Sequence, residues 1–103
     1  MAIIIEISKS SNPDKKYKAV IQQPSGRTKT IQFGAAGMSD YTIHKDKERK
    51  ERYLNRHKKT ENWNDYNTAG FYATNILWNK PTITESIKDT NSRFKNLNIK
   101  LKT

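Results

Sequence analysis

A chain of 103 residues with 20 Lys and Arg against 10 Asp and Glu, a net charge of +10, has material for one domain and one site of any size. It contains no cysteine, which excludes disulfides and thiolate metal sites, and no uncharged apolar run of about 18 residues that would span a bilayer. The excess of cations is the electrostatic footprint of a protein that meets a polyanion, whether DNA, RNA, an acidic protein surface or anionic lipid.

Residues 2–8 alternate Ile3, Ile5 and Ile7 against Ala2, Ile4 and Glu6, which predicts a strand with its core face on the odd positions. The run AIIIEIS is too short, and meets Glu6 too early, for a signal sequence, so a soluble, non-secreted protein is expected. A turn cluster at 9–15, centred on Asn12-Pro13-Asp14, leads to a second strand at 16–23 with Tyr17, Ala19 and Ile21 on one side. Pro24-Ser25-Gly26-Arg27 then closes a hairpin into a third strand at 28–33, with Ile31 and Phe33 inward. Such a meander buries only one face, so helices must cover it.

Phe33-Gly34-Ala35-Ala36-Gly37 breaks the periodicity. It reads either as a strand-to-helix corner or as a phosphate cradle, and with neither P-loop nor GxGxxG spacing the pattern favours the corner. Ser39-Asp40 is expected to cap the approach to a helix over 45–59, KDKERKERYLNRHKK. In that helix Lys45, Arg49, Arg52, Arg56 and Lys59 follow spacings of four, three, four and three, which gathers them into one cationic ridge. Asp46, Glu48 and Glu51 all avoid the ridge. Leu54, flanked by Tyr53, His57 and the stem of Lys50, forms the docking strip. The plainer reading is a solvated face with Asp46–Lys50 and Glu48–Arg52 as ordinary i,i+4 pairs.

A polar link at 60–67 holds Trp63 and Tyr66, whose rings either stack on nucleobases or pack internally. Thr68 caps a helix over 68–79, expected to be central because Ala69, Tyr72, Ala73, Ile76 and Leu77 form one apolar stripe and Phe71 and Trp78 a second. Gly70 would allow a close helix crossing, and Pro81 ends the segment. Thr82 with Glu85 is a capping-box pattern opening a last helix at 83–95, with Ile83, Ile87 and Phe94 inward. The tail 96–103 alternates Leu97, Ile99 and Leu101 against polar residues, as an edge strand or as an arm reaching a partner. The fold expected is α+β: a three-stranded antiparallel sheet covered by about three helices.

Chemistry needs convergent titratable groups, and the stock is His44, His57, Asp40, Asp46, Glu61 and Asp65. His44-Lys45-Asp46 has the letters of the phospholipase D signature without its spacing. Asp40/His44 and His57/Glu61 each offer two metal ligands at i,i+4 with no third nearby. No catalytic, metal or cofactor site is therefore expected.

From Phe33 to Ile87 the wording of the chain resembles a family of small basic proteins encoded by large DNA viruses of algae and protists. The resemblance lies in Phe33-Gly34…Gly37, Ser39-Asp40-Tyr41-Thr42-Ile43-His44-Lys45-Asp46, Arg49-Lys50, Tyr53, Arg56-His57-Lys58-Lys59, Glu61-Asn62-Trp63, Thr68-Ala69-Gly70-Phe71, Leu77-Trp78-Asn79-Lys80-Pro81 and Ser86-Ile87. It covers roughly half the chain and implies a viral setting, in the virion or the infected cell, with no established activity attached. The expectation is a non-enzymatic minor capsid or virion-associated protein that docks on an acidic partner, another virion protein, through the 45–59 helix. The alternative is an accessory protein that contacts the phosphates of DNA or RNA through the same helix.

Overall fold

The computed structural model describes residues 3–59 and 61–102. The expected strand start at Ala2, the head of the polar link at Thr60 and the end of the tail at Thr103 lie outside them. The odd-numbered isoleucines build β1 (Ile3–Lys9), which pairs antiparallel with β2 (Lys15–Gln22), Ile5 opposite Ile21 and Ile7 opposite Ala19. β2 pairs antiparallel in turn with β3 (Thr28–Ala35), Tyr17 opposite Phe33 and Ala19 opposite Ile31. This register places every residue expected inward from the meander on one face.

The sheet has a fourth strand, and it is mixed rather than wholly antiparallel. β4 (Leu97–Leu101) lies parallel to β1, giving the order β3-β2-β1-β4. The helices carry the chain from one edge of the sheet to the other, so it returns in the direction of β1, as a parallel neighbour requires. Leu97 and Ile99 are buried in the core and only Leu101 is partly exposed, so the tail is an edge strand and the first two side chains do not reach for a partner.

The helix expected at 45–59 is one helix, two residues shorter at each end and preceded by a separate turn. A single turn, α1 (Tyr41–His44), is capped by Asp40, and α2 (Lys47–His57) starts afresh after Lys45, whose φ of 56° is left-handed. Asp46 explains the break, because its carboxylate accepts from the backbone N–H of Glu48 and Arg49 as an N-cap. The acid expected in an i,i+4 pair with Lys50 is thus spent on the backbone.

The segment expected as one helix over 68–79 is divided. Thr68 caps α3 (Ala69–Tyr72) as expected, and the chain then widens into a π-helical turn, Ala73–Leu77. The wider turn shifts the facing of the side chains. Ala69, expected inward, is exposed, whereas Asn75, outside both expected apolar stripes, is buried beside Ile76 and Leu77. α4 (Ile83–Arg93) begins at the expected Thr82 cap, which accepts from the Glu85 N–H at 3.1 Å, and it ends two residues early. It lies against both the π-helical turn and β4, so the central segment shares the sheet with α4 instead of separating the two.

Phe33, Phe71, Tyr72, Ile76 and Leu77 fill the middle of the core, with Phe94 edge-on to Phe71 at 5.4 Å between ring centroids. Gly34 makes this packing possible twice over. Its φ is +78°, and a Cβ there would stand 2.8 Å from Leu77 Cδ1. Among the described residues no helix is long and apolar enough to cross a membrane.

Candidate functional site

α2 is fastened by aromatic stacking more than by aliphatic burial. Tyr53 lies flat on Trp78, with centroids 4.1 Å apart and planes 3° apart, and His57 covers its other face at 4.2 Å. Trp78 continues the column to His44 at 5.3 Å. Leu54, expected to lead the docking strip, is only half-buried, because the strip is centred on Tyr53. Burial, with the Glu61 carboxylate nearby, pushes the Tyr53 phenol up to about 12.

Two lysines complete the attachment. Lys50 Nζ stands 5.0 Å over the Tyr41 ring and donates to the Asn79 carbonyl at 2.5 Å, and partial burial lowers its pKa. Lys45 Nζ donates to the Pro81 carbonyl at 3.2 Å and to the Thr42 carbonyl at 3.0 Å. Lys45, expected as the first residue of the ridge, precedes the helix and serves as a tether.

The rest of the ridge faces solvent. Arg49, Arg52, Arg56 and Lys59 are exposed, Lys59 lying just past the helix end. Among the described residues none of the four forms an ion pair; the acid pairs there join Lys16–Asp40, His57–Glu61, Arg93–Asp89 and Lys102–Glu6. The Glu48–Arg52 pair expected on a merely solvated face is therefore not made.

Arg49 and Arg56 also line a cleft of about 430 Å³ that is lined as well by residues of the segment from Gly34 to Asp40. That segment is a corner. The Ala36 N–H donates to the Asp14 carbonyl at 3.0 Å and the Met38 N–H to the Ala35 carbonyl at 3.3 Å, so these donors do not converge on a ligand as a phosphate cradle would need. Asp40 is almost wholly buried, holding Lys16 Nζ at 2.6 Å and accepting from the N–H and hydroxyl of Thr42.

The remaining candidates serve the fold. Glu61 accepts from Trp63 Nε1 at 3.0 Å and faces His57 Nδ1 at 3.2 Å, and it fills the space left by Gly70, where a Cβ would meet the Glu61 carboxyl carbon at 3.0 Å. That glycine admits a carboxylate instead of a helix crossing. Tyr66 packs against the core, and Trp63 is half-buried with its N–H occupied, so the two rings weighed as nucleobase platforms are drawn into the link's own structure. Asp40 and His44 diverge, His44 Nδ1 accepting from the Asp46 N–H at 2.9 Å. Among the described residues no three His, Asp or Glu side chains stand together as a metal site.

Sequence reasoning passed over Met38, just before α1, and Ile43, within it, which are 65% and 61% exposed. The available signal was two large apolar residues in a short segment with no periodicity to bury them. No curated protein and no solved structure matches the chain. A match to a described family does exist, over residues 5–57, a stretch that runs from β1 to the end of α2 and so contains the meander and most of the exposed ridge. The chain belongs to that family, a family of unknown function designated DUF5754.

Proposed function

We propose that this is a non-enzymatic binding protein that docks on an acidic partner surface through α2, as a minor capsid or virion-associated component. One observation carries the reading: Arg49, Arg52 and Arg56 are exposed and form no ion pair among the described residues, on a helix whose attachment is made by other residues, Tyr53, Lys50 and Lys45. Charges that do not hold their own helix in place are available to a partner. The virion setting rests on the resemblance in wording to proteins of large DNA viruses. A second reading, contact with the phosphates of duplex DNA or RNA, is favoured by the fact that α2 has no fully buried residue and so leaves its outer face open along its length.

The test is the triple substitution Arg49→Gln, Arg52→Gln, Arg56→Gln. Its melting temperature should stay within a few degrees of the parent, since exposed charges contribute little to stability. Affinity for a polyglutamate probe should fall by about tenfold or more, because close charge pairs across an interface carry at least about 1.4 kcal/mol. Equal loss of stability and binding would make the arginines structural and contradict the reading.

A further inference from the structure

The helical layer does not cover the whole core face of the sheet. At the end where β1 and β4 finish and β2 begins, Tyr17, Ile83 and Leu101 are incompletely covered and line a depression of about 550 Å³. A second depression, of about 220 Å³, adjoins it through the shared wall of Lys9 and Tyr17 and is lined further on by Ile43. The α2 cleft adjoins the second through the buried Lys16–Asp40 pair and is lined by Met38, Arg49 and Arg56. The three lie in a row from the end of β4 to α2.

Among the described residues, four large hydrophobic side chains are notably exposed, and three of them line this row: Leu101 at 37%, Ile43 at 61% and Met38 at 65%. The cations Lys102, Lys9, Arg49 and Arg56 line the same row. Among the described residues its only acid is Asp40, which Lys16 neutralises. Each of the three depressions therefore holds one exposed apolar side chain and at least one cation.

We infer that this row is the binding groove for an extended acidic segment of a partner protein, one in which apolar side chains are interspersed with carboxylates. Charge complementarity selects an acidic occupant, and the apolar seats select a polypeptide over a phosphate backbone, which has nothing to bury on Met38, Ile43 and Leu101. The inference rests on the proposed docking through α2 and deepens it by naming the chemistry of the partner.

The experiment compares a labelled 12-residue peptide of alternating Glu and Leu, a polyglutamate peptide of equal charge and a random-sequence DNA duplex, by fluorescence anisotropy. The proteins are the parent, the double substitution Met38→Ser, Ile43→Ser and the triple arginine substitution. Both seats are exposed, so the serine variant should fold, which its melting curve checks. The parent should bind the alternating peptide at least about tenfold more tightly than polyglutamate, and the serine variant should lose that advantage while keeping its polyglutamate affinity. The triple variant should lose both. Equal binding of the two peptides, indifferent to the serine substitutions, would overturn the groove and leave docking through α2 standing. Tight duplex binding with neither peptide bound would overturn both and assign the surface to nucleic acid.

Discussion

Asn75 shows how much one polar residue organises in this chain. Its Nδ2 donates to the Phe71 carbonyl at 3.0 Å and to the Trp63 carbonyl at 3.1 Å, its Oδ1 accepts from Arg93 at 2.7 Å, and its backbone carbonyl accepts from Thr90 at 3.3 Å. The side chain thereby ties the 61–67 link and α4 to the π-helical turn. Because Asn75 is buried, Asn75→Ala leaves several groups without partners, and the expected cost is about 2–4 kcal/mol. Chemical denaturation measures it directly, and a loss below about 0.5 kcal/mol, the range of an ordinary surface change, would contradict this role. The sequence concealed Asn75 because helical periodicity assigns it to neither apolar stripe, and only the π-helical turn brings it inside. Asp46 was concealed differently. A carboxylate four residues before a lysine fits an i,i+4 pair, yet the same carboxylate at the first free N–H groups of a helix is a cap, and the backbone won it.

At the scale of elements, the meander was legible down to its facing residues, since a period of two with β-branched residues on one side has few other solutions. The tail was legible only as two alternatives. Leu97-Asn98-Ile99-Lys100-Leu101 has the same period as β1, and nothing local says whether its partner is β1 or another chain. Pairing with β1 makes Leu97 and Ile99 core residues, so deletion of residues 96–103 should cost the domain much of its stability. Circular dichroism during heating checks this, and a truncated protein melting at the parent temperature would restore the arm. The basic helix was legible as a cationic stripe, but its fastening was not, because stacking of Tyr53 on Trp78 joins positions 25 residues apart, beyond the reach of any helical periodicity.

For the whole molecule, the proposed anionic partner has to be met by the surfaces that the fold leaves open. The rings that would serve as stacking platforms are engaged: Tyr53 is covered on both faces, Trp63 is half-buried with its N–H on Glu61, and Tyr66 lies against the core. Stacking on single-stranded bases is thereby disfavoured, which leaves charge and the exposed apolar seats. Those seats were illegible as a group because Leu101 lies far along the chain from Met38 and Ile43 and joins their row only through the pairing of β4 with β1. On the reading proposed above, the exposed cations of α2 serve an acidic protein partner and not a duplex. That reading is tested most directly by titrating the parent protein with the alternating Glu-Leu peptide and with random-sequence duplex from about 50 to 300 mM salt. The peptide should bind more tightly, with a shallow salt dependence because part of the affinity is apolar burial. Tight duplex binding whose logarithm falls with the logarithm of salt at a slope of about −3 to −4, one phosphate for each exposed ridge cation, with the peptide left unbound, would contradict that reading.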